Sequence, residues 1–392
     1  MTARAAVQPQ PPRLPVLGWA AFSGVRKSSE PSVLGARFRR HTRSGQAAIT
    51  CAARLLGLKR GDAVLVPTYH CPTMIAPLVA EGLAARFYPL TGQGEPDLEA
   101  LRATKPEGVR AMLAAHFFGR PQPMAQLRRF CDERGIALIE DCAHSFFGTV
   151  DGRPLGQWGD AAIASLTKFF PVPEGGLILS QSRPLDHLAT PSRGWPAELR
   201  AIADAVEMGA RHNRFTGLNT MLRALFAAKR SIRRPRSAVP GNAGRSSAPA
   251  SLELSPAAAA VWIADRVHTE RIVALRRRNY AVLAESLRAL RNARPLFSDL
   301  PPGVVPYVLP LYVDDPSASY HALRDAGVPV FRWDDFWPGR PDIPGDVGRV
   351  WATHVFQLPC HQDLTSNELE RIARRVRDVI DLETARTETS LC

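Results

Sequence analysis

An acid at the end of one apolar run and a lone lysine inside a second one are the residues in this sequence best suited to chemistry. Ile136-Ala-Leu-Ile139 leads into Glu140 and Asp141, and Cys142, Ala143 and His144 follow; farther on, Ala161-Ala-Ile-Ala-Ser165-Leu-Thr carries Lys168 into Phe169 and Phe170. A lysine in such surroundings is poorly hydrated, so its pKa falls from the reference value of about 10.4 and its free amine becomes a nucleophile. Such an amine captures an aldehyde, and a carboxylate set against a pyridine nitrogen keeps that ring an electron sink. Together the two requirements describe pyridoxal phosphate chemistry, with Lys168 as covalent anchor and proton carrier and Asp141 as partner of the ring nitrogen. Taken singly, Lys168 could lay its stem along an apolar surface and Asp141 could cap a helix.

Three motifs in order, Asp141-Cys-Ala-His144, Ser165-Leu-Thr-Lys168 and Glu174-Gly-Gly176, resemble the core of fold-type-I pyridoxal phosphate enzymes. More narrowly, they resemble the DegT/DnrJ/EryC1/StrS aminotransferases, which mostly act on keto sugars attached to nucleotides. The resemblance implies pyridoxal 5'-phosphate as cofactor, with Lys168 as its anchor and Asp141 at its ring nitrogen. It also implies Ala143 against the ring, His144 near the ring hydroxyl and Ser165 on the phosphate. Ser44-Gly45-Gln46 resembles the family's SGTAAL turn, with Gln46 where threonine is common; the backbone amides after Ser44 would meet the phosphate at the start of a helix. Thr68-Tyr69-His70-Cys71 stands where the family carries a ring-stacking aromatic. Cys71 aligns with that position, Tyr69 and His70 are the larger rings beside it, and all three remain candidates. His116-Phe-Phe-Gly119 resembles the family's HLYG segment, and Leu358-Pro-Cys-His361 resembles its LPxHxxLT, where the histidine faces the substrate or the domain cleft. Ser165 precedes Lys168 by three residues rather than the five of better known sugar aminotransferases, an arrangement shared with other fold-type-I enzymes.

Those residues must be positioned by the elements around them. AVLVP, GLAARFYPL, VRAMLAAHFFGRP and IALIED read as strands, with helical patterns such as AAITCAARLLGL and PMAQLRRFCDERG between them. Strands alternating with helices predict an α/β fold with a mostly parallel central sheet covered on both faces, whose ligand groups gather at the carboxyl ends of the strands. The resemblance extends this to a three-layer fold-type-I transferase with a smaller α+β C-terminal domain. The expected organisation is an N-terminal arm of little regular structure over 1–34, a large cofactor-binding domain over 35–250, a long helix and small domain over 251–382, and a tail over 383–392.

At 392 residues and 45% hydrophobic, the chain is long enough for such a two-part core. It has no run of eighteen apolar residues, and prolines interrupt the start where a secretory signal would need a compact apolar segment. Six scattered cysteines form no CxxC pair, which disfavours zinc and disulfide frameworks and suits a cytoplasmic protein. A formal charge of +13 attracts anions, but neither a zinc-finger spacing nor an aromatic RNP pattern accompanies it, so no nucleic-acid partner is expected. Nine of the basic residues, with no acid among them, lie in 208–252, whose amphipathic part suits peripheral contact with an anionic membrane; a solvated face is the plainer reading. The resulting expectation is a homodimeric aminotransferase carrying an amino group from an amino acid, glutamate, to a keto sugar or related carbonyl compound, possibly nucleotide-linked. Decarboxylation, racemisation and carbon–carbon cleavage share the same lysine chemistry and stay open, as does a non-catalytic protein on the same fold.

Overall fold

The computed structural model describes residues 9–23, 28–103, 107–188, 191–232 and 255–390. Its centre is a seven-stranded sheet in the order β1-β9-β8-β5-β4-β2-β3. The strands are β1 (Phe38–Thr42), β2 (Ala63–Pro67), β3 (Ala84–Tyr88), β4 (Val109–Ala115), β5 (Ala137–Asp141), β8 (Ala161–Ser165) and β9 (Gly176–Ser180); a small separate hairpin, β6 (Thr149–Val150) with β7 (Arg153–Pro154), lies between β5 and β8 in the chain. β3, β2, β4, β5 and β8 run parallel, and β9 returns antiparallel between β8 and β1. β2, β8 and β9 are buried along their whole length, which explains why they read as continuous apolar runs rather than alternating ones.

The parallel units are linked by α1 (Gly45–Leu55), α2 (Pro72–Ala80), α3 (Leu98–Ala103) and α4 (Met124–Arg134). After β9 come α5 (Trp195–Arg211) and α6 (Asn219–Ile232), packed on each other. Residues 233–252 of the basic stretch 208–252 lie outside the described residues. The single long helix expected next is two, Ala258–Arg266 and Thr269–Leu287. Val267 between them is extended, and His268 turns its N–H to the carbonyl of Ala21, so the break gives the N-terminal segment a docking point.

A three-stranded antiparallel sheet, β10 (Ala293–Pro295), β11 (Val308–Val313) and β12 (Val355–Pro359), forms a second core with the helices Thr269–Leu287, Pro316–Asp325 and Ser366–Ser390. The terminal helix runs through 383–390 rather than ending in a tail at Leu382. That stretch, ETARTETS, contains no glycine or proline to stop it. The N-terminal arm also departs from expectation: residues 9–23 carry little regular structure, as expected, but Pro11, Pro12 and Pro15–Gly18 are buried as a strap across both cores. Among the described residues no helix is long and apolar enough to cross a membrane.

Candidate active site

The register of the strands builds the site. Ala115 pairs with Asp141 across β4 and β5, and Asp141 with Ile163 across β5 and β8, so three strand ends share one rim. Ser165 then pairs with Gly176, and Gly176 with Thr42, which sets the Glu174-Gly-Gly176 turn between Lys168 and the start of α1. Gly175 adopts a left-handed φ of +130°, donates its N–H to Arg43 O at 2.8 Å and accepts from Leu166 N–H at 3.0 Å. A Cβ on Gly176 would fall 2.4 Å from the Ser44 backbone, so only glycine lets β9 approach α1 this closely. Glu174 fixes the outside of the turn by accepting from Arg193 Nη1 at 2.9 Å and Ala257 N at 2.7 Å.

At this rim lies a cavity of about 280 Å³ whose wall includes Ser44, Gly45, Gln46, Cys71, Asp141, Ala143, His144, Ser165 and Lys168. Lys168 ends a short 3-10 turn, Leu166–Lys168, directly after β8. Burial pulls its amine below the usual lysine range; Cys71 and Asp141 oppose that pull, and Arg13 adds to it. Burial pushes the Asp141 carboxyl above its ordinary value, against Lys168, the Ala143 N–H and His116. Ala143 N–H donates to Asp141 Oδ1 at 2.8 Å and so orients the carboxylate. At α1, Ser44 Oγ accepts from Ala47 N–H at 3.2 Å, while the N–H groups of Gly45 and Gln46 have no partner among the described residues. Ser165 Oγ lies 3.3 Å from Thr167 Oγ1 beside that helix start.

Pyridoxal phosphate fits this arrangement. Two free amides and the hydroxyls of Ser44, Ser165 and Thr167 suit a phosphate, Asp141 suits a ring nitrogen, and Lys168 suits an aldehyde. His144 is held stacked on Tyr307, with ring centroids 4.3 Å apart, and close to Trp333 at 5.0 Å. Burial, then the Lys168 charge, keep that imidazole well below its ordinary pKa and therefore neutral.

Tyr69 and His70 do not line the cavity. Tyr69 is fully buried in an aromatic cluster with Phe117, Trp333 and Trp351, and its hydroxyl accepts from Gln357 Nε2 at 3.3 Å. His70 Nδ1 lies 3.0 Å from Thr68 O, and its Nε2 accepts from Trp337 N–H at 3.0 Å, which fixes the tautomer. Burial lowers its pKa to about 4. The chain beyond β2 thus turns both rings into the core and, of the three ring-stacking candidates, presents Cys71, the residue before α2, to the site; Cys71 Sγ lies 2.9 Å from Thr73 Oγ1.

His116 touches the cavity but is already engaged, with Nε2 3.1 Å from Glu140 Oε1 and Nδ1 accepting from Gln122 N–H at 3.0 Å. Glu140 also accepts from the N–H groups of Gly156 and Trp158. Burial pushes the Glu140 carboxyl up, yet His116 and those amides outweigh it and hold the group below its ordinary value. Cys142 Sγ comes within 4.8 Å of the same atoms, but the carboxylate is already occupied by hydrogen bonds. His361 is buried beneath the strap, with Nε2 on Pro12 O at 3.0 Å, and faces neither cavity nor cleft.

Sequence reasoning missed four contributors. Tyr307 and Trp333 come from the C-terminal part of the chain, pack on the main core and carry no local motif; Arg13 arrives from the strap. Arg276, wholly buried, donates to Lys168 O at 2.6 Å, to the carbonyls of Pro306 and Tyr307 at 3.0 and 3.1 Å, and through Nε to Gln362 Oε1 at 2.9 Å. It thereby pins the backbone of the lysine turn to both sides of the cavity.

Comparison with known proteins finds relatives in sequence and in fold. A curated relative, the GDP-perosamine synthase of Vibrio cholerae, is 31% identical over 142 residues, 36% of this chain and 39% of that protein. The dTDP-4-dehydro-2,3,6-trideoxy-D-glucose 4-aminotransferase of Saccharopolyspora spinosa is 28% identical over 149 residues, 37% and 39% of the two chains. The chain thus spans about two fifths of the length of these relatives. An aminotransferase from Psychrobacter cryohalolentis has the same fold, with a TM-score of 0.63 at 17% identity over 89% of this chain and 88% of that one. A lysine opposite a buried acid, a helix start with free amides and a glycine-paired return strand all fall inside residues 32–323, the span matched by the DegT/DnrJ/EryC1/StrS aminotransferase family, and to that family the chain belongs.

Proposed function

We propose that this chain is a pyridoxal phosphate-dependent aminotransferase that moves an amino group from an amino acid, glutamate, to a keto sugar carried on a nucleotide. The observation that carries the reading is the convergence of Lys168 and Asp141 on one cavity whose far end is the open start of α1. The cofactor supplies an aldehyde to receive the amino group and a ring to take up electrons. Lys168 Nζ, whose pKa burial lowers, would hold the cofactor and then move a proton at the substrate carbon. Asp141 would hold the ring nitrogen protonated, and Ala143 N–H keeps that carboxylate aimed. Gly45, Gln46 and Ser165 would anchor the phosphate. The nucleotide-sugar acceptor is supported by the two relatives, whose names place them on GDP- and dTDP-linked sugars.

The test is a visible spectrum of the purified protein before and after glutamate, beside Lys168→Ala. A yellow form that bleaches with glutamate, and that the variant cannot make, is expected. Failure to take up pyridoxal phosphate would overturn the enzyme reading, and carbon dioxide release or racemised amino acid instead of bleaching would overturn transamination.

We infer that the working form is a homodimer. Trp195, Leu199 and Ile202 are exposed at one-turn spacing on α5, and Leu218 just before α6 and Met221 and Leu225 on it are exposed likewise, an apolar surface that a second copy would cover. A monomeric mass by light scattering would exclude it, and retention of that monomer on anionic vesicles would assign the surface to a membrane instead. Five described cysteines are free thiols, which supports a reducing compartment such as the cytoplasm.

A further inference from the structure

The strap reaches the candidate site with a fixed backbone. Val16 N–H donates to Asp363 Oδ2 at 3.2 Å, Pro12 O takes the His361 bond, and Trp19 N–H donates to Arg214 O at 3.3 Å. Leu17 lies so close to α5 that a Cβ on Gly209 would fall 2.0 Å from its carbonyl oxygen. Held in this way, Arg13 borders the Lys168 cavity and two adjoining ones of about 910 and 610 Å³.

Its guanidinium lies over the Phe331 ring, 4.2 Å from the centroid, and has no acidic partner among the described residues. The neighbouring charges are committed elsewhere. Arg43 reaches Glu174 at 3.8 Å, Arg211 pairs with Glu207 at 2.5 Å, and Arg332 with Asp334 at 2.7 Å. The Arg13 charge nevertheless acts on both Lys168 and Tyr307, which line the same cavity.

We propose that Arg13 is the residue that binds the carboxylate of the amino-acid donor, from the N-terminal strap. The proposal rests on the aminotransferase reading above. A donor whose amino group meets Lys168's aldehyde partner needs its carboxylate held a few ångströms away, and a planar fork matches two carboxylate oxygens. Packing against Phe331 fixes the plane of that fork, so little side-chain freedom is lost on binding. A nucleotide phosphate is the other anion of the reaction, and a single guanidinium lining the Lys168 cavity among the described residues favours the smaller, singly charged group.

The test uses the cofactor-loaded enzyme and the variants Arg13→Gln and Arg13→Lys. The resting visible spectrum reports an intact cofactor site, glutamate-driven bleaching reports donor use, and calorimetry with glutarate and with dTDP at fixed ionic strength separates carboxylate from phosphate. In Arg13→Gln, half-saturating glutamate and the glutarate Kd are expected to rise on the order of 10- to 100-fold, the loss of a charge-assisted hydrogen bond. The resting spectrum and dTDP affinity should stay as they are, and Arg13→Lys should recover part of the loss. Unchanged glutarate affinity in Arg13→Gln would overturn the proposal, and so would a loss confined to dTDP. If the wild-type protein answers to no amino acid, the aminotransferase reading fails separately, and a glutarate affinity that is then independent of Arg13 removes the carboxylate site as well.

Discussion

Among single residues, Arg276 ties the lysine turn to the backbone before β11. It stands in a run of three arginines that look alike in sequence, yet the first is wholly buried, the second pairs with Glu30 at 2.8 Å and the third is exposed. Burial lowers the Arg276 pKa to about 10, still high enough to keep its charge at neutral pH. Arg276→Met keeps the stem but strands the carbonyls of Lys168, Pro306 and Tyr307, and is expected to cost about 3 kcal/mol in a urea melt, in the range set by orphaned buried acceptors. Cofactor affinity should fall with it, because the lysine turn loses its tether; a variant with wild-type stability would show those carbonyls to be satisfied otherwise. The places of Asp141 and Lys168 on the cavity wall were legible because each sits in an apolar run that would otherwise exclude it, and that of Ser165 through the motif it shares with the family. Arg276 was not, since helical position alone does not say which of three neighbours a second core will cover. Tyr69 and His70 failed for a related reason: where a chain leaves a strand, spacing no longer tells which way a side chain points.

Among the elements, the contact between β9 and α1 does the most to shape the site. Gly176→Ala would press a methyl group into the backbone of Ser44, which has no side-chain rotamer with which to yield. The expected result is a shift of the α1 start, a stability loss of about 1–3 kcal/mol and weaker retention of pyridoxal phosphate, read by titrating the visible band. An unaltered affinity would mean that the start of α1 does not hold the phosphate. The parallel βα units and the rim they share were readable from alternation of strands and helices. The strap was not, because its anchoring depends on Asp363, His361 and Arg214, all more than 190 residues away, and prolines with arginines suggest only an unstructured arm.

For the whole molecule, buried neutral imidazoles set a pH limit. Burial lowers His70 and His361 from 6.5 to about 4 and about 3. Between pH 6.5 and those values the unfolded chain binds protons that the folded one refuses, so folded stability is full above 6.5 and falls as the pH drops. Asp141 and Asp363, whose carboxyls burial raises, work in the opposite sense at the acidic end. Urea melts from pH 7 to pH 4 should therefore show declining stability, and His70→Asn should flatten the slope by up to about 1.4 kcal/mol per pH unit. Parallel slopes for the two proteins would show that His70 titrates normally.

The bonds of Arg276 also tie the reacting lysine to the second core's own integrity. The three carbonyls it gathers belong to the lysine turn and to the entry of β11, so heat that loosens the small sheet also frees the turn. No thermal window is then expected in which the cofactor stays correctly seated while the C-terminal lobe has melted; inactivation and unfolding are one event.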